Sequence, residues 1–194
     1  MRLSFIPDAT THNGVFKYLF DRFGDNIKNY VEIFGTSYSD TTLFSIINDS
    51  FPIRYASATG APTNFYLVFR GFSVKITNYS ISHLNTNCFT KEWNLYDLTN
   101  SDYKLISNDR FTLCGNGDIC AGNQIQFFQV TSNSFVKSLK FDQIGGRSDG
   151  QYYVEFQTLE LYGKLVFDNN HLRSTMHCYQ TRFLSTLLVC FIFS

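Results

Sequence analysis

From about residue 30 to residue 165, apolar and polar positions alternate in short runs separated by polar turns. In "NYVEIFG", Tyr30 and Glu32 share one face and Val31 and Ile33 the other, as in a half-buried strand. "YASATGAPTN", residues 55–64, is a loop punctuated by Gly60 and Pro62. In the next run Phe65, Leu67 and Phe69 share a face, and Gly71 breaks the pattern. Phe72, Val74 and Ile76 then share a face, and the phase slips by one residue to Tyr79 and Ile81. Such a slip inside a strand is the trace of a β-bulge. "EWNLYDL" and "YKLISN" are two short strands, and "QIQFFQV" and "SFVKSLKF" flank a polar turn. The last run puts Tyr152, Val154 and Phe156 on one face and Leu159 and Leu161 in the opposite phase, so a second bulge is expected near Gln157 and Thr158.

Only one stretch has helical periodicity. Val15, Phe16, Leu19, Phe20 and Phe23 recur at helical spacing, with Asn13 as the expected N-cap and Gly24 as the residue that ends the helix. Residues 43–50, "LFSIINDS", fit either a strand or a short helix. Seven or eight short strands with polar turns, and no alternation of strands with helices, predict an antiparallel β-sandwich or barrel.

Composition sharpens this. The 194 residues suffice for one domain with a core, and an 18% aromatic content, with Phe 21 and Tyr 12, suits strands. Lys and Arg balance Asp and Glu at 16 each, which argues against a broad nucleic-acid footprint. The N-terminal "MRLSFIPDAT" lacks the apolar core of a secretory signal, so an intracellular, cytoplasmic setting is expected, with peripheral membrane attachment as the alternative. Phe183 to Ser194 is almost wholly apolar but, at twelve residues, is shorter than the roughly 20 a spanning helix needs. It is expected to pack on the domain or touch a membrane interface, and to be dispensable for folding.

Catalytic signatures are sparse. His12, His83, His171 and His177 are scattered, with no metalloprotease spacing, and no nucleophile elbow occurs. Cys88, Cys114, Cys120, Cys178 and Cys190 contain no C-x-x-C pair, so no metal site is expected. "CGNGDICAG" has the glycines of a phosphate loop without its Lys or Ser/Thr, and reads as a hairpin loop. Glu155 and Glu160 lie within strand patterns, which favours structural roles over a carboxylate pair for glycoside hydrolysis. The expectation is no catalysis, no metal and no cofactor.

The segments "FYLVFRGFSVKITNYSI", "EWNLYDLTNSDYKLI", "FVKSLKFDQIG" and "YYVEFQTLELYG" together resemble the coagulation factor 5/8 type C, or discoidin-like, domain. The front of the chain, "GVFKYLF", "GDNI" and "VEIFGTSYSD", is similar to a protozoan-type branch of it. Departures include Tyr103 in place of a second tryptophan and Lys140 in place of an arginine. The resemblance implies a galactose-binding-like jelly-roll β-sandwich over residues 13–165, with residues 166–194 as a C-terminal tail, and Trp93 in the core. It also implies a non-catalytic binding module whose protein or glycan ligand meets loops at one end of the sandwich. By position those loops are Ser37 to Thr42, Ser57 to Asn64 and His83 to Phe89, where Tyr38 and Phe89 offer rings and Asp40, Asn64, Asn85 and Asn87 offer polar contacts. A scaffolding domain without a small ligand is the alternative.

Overall fold

The computed structural model describes residues 2–8, 13–35, 44–47, 55–56, 64–83, 90–112, 124–146 and 155–168. The alternating runs become strands. A five-stranded antiparallel sheet is ordered β2 (Val31–Gly35), β4 (Asn64–Phe69), β9 (Ser138–Gln143), β6 (Glu92–Asp97) and β7 (Lys104–Arg110). Facing it is a four-stranded antiparallel sheet ordered β1 (Arg2–Phe5), β11 (Thr158–Phe167), β5 (Phe72–His83) and β8 (Gln124–Gln129). A two-stranded piece joins β3 (Tyr55–Ala56) to β10 (Glu155–Phe156). This is the expected antiparallel β-sandwich with one short helix. β1 lies ahead of the boundary expected at Asn13, because its backbone finds partners along the edge of β11. The apolar tail lies outside the described residues.

Apolar positions of the two inner faces fill the space between the sheets. Trp93 is fully buried, stacked on Phe141 at 5.4 Å and edge-on to Phe128 at 5.1 Å. Phe65 stacks on Phe141 at 4.9 Å and Phe69 on Phe72 at 5.0 Å. One polar network crosses this core. Trp93 Nε1 donates to the Tyr79 hydroxyl at 2.6 Å, and that hydroxyl donates to Asp109 Oδ2 at 2.6 Å. Ser107 donates to the same carboxylate oxygen. Burial, with the neighbouring Asp109 carboxylate, holds the Tyr79 phenol well above its ordinary pKa.

The phase slip in β5 is a bulge. Tyr162 pairs with Asn78 and Gly163 with Ile76, so Thr77 is the extra residue. Gly163 is what permits the close approach. It has φ 138°, and a Cβ there would lie 2.0 Å from the Lys75 carbonyl oxygen. The second phase change has another cause. At Gln157 the chain leaves β10, paired to β3, and enters β11, paired to β5, so the strand breaks between sheets where a bulge was expected.

The helix, α1, spans Val15–Phe23 and buries Val15, Phe16 and Leu19. Asn13 is not its cap. The N-cap residue is Gly14, which offers no side-chain acceptor. Glu160 of β11 takes that part, accepting from the backbone N–H groups of Phe16 at 2.8 Å and Lys17 at 2.9 Å. Its Oε1 also accepts from the Leu161 N–H at 2.8 Å. A Cβ at Gly14 would lie 2.4 Å from Glu160 Cγ, so only glycine leaves room for this carboxyl. At the other end Gly24 has φ 53°, and its N–H closes the helix on the Phe20 carbonyl. Residues 44–47 form a 3-10 turn, the helical alternative for that stretch.

Candidate ligand-binding site

The register places the ends of the strands. Gly35, Asn64, Gln143, Glu92 and Arg110 are the residues of β2, β4, β9, β6 and β7 nearest one end of the five-stranded sheet. β4 and β5 join through Gly71 at the opposite end, so His83, the last residue of β5, returns to the same end as Asn64. The stems of all three expected ligand loops therefore converge: after Gly35, before Asn64, and between His83 and Thr90. The connections after Phe111 and before Gln124, and after Gln143, rise at this end too.

Of the six residues expected to meet ligand, Asn64 falls within the described residues, and Tyr38, Asp40, Asn85, Asn87 and Phe89 lie outside them. Asn64 opens β4 opposite Asp142 of β9. It is half-buried, and its Oδ1 is a buried acceptor with no hydrogen-bond partner among the described residues. Gln143, which pattern reading passed over, closes β9 beside Trp93 of β6. It is 2% exposed, and neither amide atom finds a partner among the described residues. Buried polar groups are nearly always bonded, so the Gln143 amide and the Asn64 Oδ1 stand out at this end of the sandwich. Period-two parity held the signal: Leu139 and Phe141 point inward, and the next inward position is an amide. At the rim, Glu92 Oε1 and Arg110 Nη1 form an exposed ion pair at 3.5 Å.

Among the described residues no group of three or more His, Cys, Asp or Glu side chains could hold a metal ion. Glu160 is enclosed by the backbone that it caps. Burial pushes its carboxyl up to about pKa 8, against the opposing pull of the N–H groups of Lys17, Phe16, Leu161 and Gly14. The side chain of Glu155, all five cysteines and the "CGNGDICAG" loop lie outside the described residues. No helix among the described residues is long and apolar enough to cross a membrane.

No family model matches the sequence, and no curated protein matches it by sequence. Solved structures do match its architecture. The C-terminal domain of a chitobiase from Bacteroides fragilis superposes with a TM-score of 0.57 at 13% identity, covering 72% of this chain and 97% of that one. An F5/8 type C domain, also from Bacteroides fragilis, gives 0.53 at 11% identity, covering 70% and 92%. The family 32 carbohydrate-binding module of Clostridium perfringens NanJ, in complex with galactose, gives 0.52 at 13% identity, covering 70% and 95%. The fold is thus the galactose-binding-like β-sandwich that these carbohydrate-binding and F5/8 type C domains share.

Proposed function

We propose that this protein is a non-catalytic module that binds carbohydrate through the loop end of its sandwich. The observation that carries the reading is the buried, unpartnered carboxamide of Gln143 at the end where the three loop stems converge, with the buried Asn64 Oδ1 on the neighbouring strand. A carboxamide presents both a donor and an acceptor, and a sugar hydroxyl is both as well, so the two kinds of group are complementary. The family 32 modules that share this fold, one of them seen with galactose, support the same class of ligand. Tyr38, Asp40, Asn85, Asn87 and Phe89 remain the expected contacts of the loops, with Tyr38 and Phe89 stacking on the sugar ring.

Titration of the full chain with galactose, N-acetylgalactosamine, mannose and uronic acids, followed by amide NMR, tests this. The side-chain amide signals of Gln143 and Asn64 are expected to shift with at least one sugar. Gln143→Leu should abolish that response while leaving the melting temperature unchanged or raised, because it removes an unpartnered buried amide. If no sugar shifts any loop-end signal, the reading fails. Self-association with rising concentration in that same experiment would favour the scaffolding alternative.

A further inference from the structure

The outward side of the five-stranded sheet carries a second ordered array, away from the loop end. Strand register lines its residues into rungs. One rung reads Phe34, Tyr66, Lys140, Tyr96 and Leu105 across β2, β4, β9, β6 and β7. The next, one pleat toward the loop end, reads Asn64, Asp142, Asn94 and Asn108. With strands ~4.8 Å apart, the first rung is about 19 Å long, and the two rungs lie roughly 7 Å apart.

The first rung keeps apolar surface in water. Phe34 is 41%, Leu105 49% and Tyr103, which precedes β7, 62% exposed. The rings are held. Phe34 stacks on Tyr66 at 5.0 Å, and Tyr103 meets Tyr96 edge-on at 6.1 Å. Lys140 lies low between them, its Nζ 5.5 Å from the Tyr103 ring centre and 3.2 Å from Asp142 Oδ1. The second rung is a chain of amides. Asn108 Nδ2 donates to Asn94 Oδ1 at 2.6 Å, and Asn94 Nδ2 donates to the Tyr96 hydroxyl at 3.0 Å. Each of these bonds uses one amide proton, so both side chains keep hydrogen-bonding capacity for a ligand.

We propose that this face is a second binding surface, for an extended, uncharged oligosaccharide. Its pyranose rings lie along the aromatic rung and its hydroxyls meet the asparagine rung. Sugars present an apolar C–H face bordered by hydroxyls, and exposed rings beside planar carboxamides complement both. Charge selects against acidic polymers. Lys140 is matched by Asp142 and Arg110 by Glu92, so neither cation is left unpaired for a phosphate or carboxylate. The span of the rung, about 19 Å, fits several sugar units. The proposal shares only Asn64 with the loop-end reading and is tested at Phe34 and Tyr103, so either can fail without the other.

Calorimetric titration of the full chain with cello-, xylo-, manno- and galacto-oligosaccharides of two to six units tests it. Affinity is expected to rise with length for at least one series. Phe34→Ala and Tyr103→Ala should each weaken binding about tenfold, Tyr103→Phe should retain most of it, and Gln143→Leu should leave it unchanged. The melting temperature of all four variants serves as a control on folding. The proposal is overturned if no series binds, if binding ignores Phe34 and Tyr103, or if those variants instead abolish self-association, which would make the face a contact between copies of the chain.

Discussion

The two sheets treat their outward polar side chains in opposite ways. On the four-stranded sheet, Thr158, Glu160 and Tyr162 of β11 alternate with the core residues Leu159 and Leu161, yet they are buried as well. They are bonded: Ser82 to Thr158 at 2.7 Å, Ser80 to Tyr162 at 3.3 Å, and Glu160 to the start of α1. On the five-stranded sheet the outward rings stay exposed and the amides are only partly engaged. The first arrangement is one that stability explains, since every group there closes a contact within the protein. The second adds little to folding, and surface of that kind is where recognition is expected.

Glu160→Ala should break the first arrangement hardest. It strands the N–H groups of Phe16, Lys17 and Leu161, and a loss of about 3–5 kcal/mol in urea unfolding is expected. The carboxyl also carries a pH signature. In the unfolded chain it releases its proton near 4.5, and in the folded protein near 8. Between those values the folded state holds more protons, so stability should fall as pH rises through that window. Glu160→Gln should flatten that dependence in melts from pH 5 to pH 8, and an equal slope in both proteins would refute the assignment.

Tyr79→Phe comes next. It leaves Trp93 Nε1 without its acceptor and Asp109 without its buried donor, at an expected 1–3 kcal/mol, roughly, in the same unfolding assay. The smallest effect sharpens the contrast from the other side. Leu105→Asn on the exposed sheet should change stability by less than about 0.5 kcal/mol. A larger loss would mean that the outward rung is part of the folding core.

Much of the fold was readable because a buried sheet face imposes parity. Phe65, Leu67 and Phe69 announced β4, and the slip from Ile76 to Tyr79 announced the bulge at Thr77. Parity says nothing about which sheet a strand joins, so the change at Gln157 looked like another bulge. The helix cap was misplaced for a related reason. Asn13 is a local candidate, whereas Glu160 lies 144 residues from the Phe16 that it binds. The candidate site was legible only as a set of loops with a common end. Gln143 was visible as an amide in an apolar parity, but that it lacks partners is a tertiary fact. The exposed rung, too, exists only once β2, β4, β9, β6 and β7 are ordered side by side.

The pairing of β1 with β11 bears on how the molecule assembles in time. Leu3 lies opposite Leu165, so this ladder joins the two extremes of the sandwich. Loop-closure entropy makes such a contact the least favourable to form from an open chain and the cheapest to add once the intervening sheets have docked. The local hairpin β6–β7 is positioned to form early, and the edge strand to arrive last. A protein so dominated by distant pairings belongs among those that fold in roughly milliseconds to seconds. During that interval the free edge of β11, apolar at Leu161 and Leu165, is the surface on which two half-folded copies would meet.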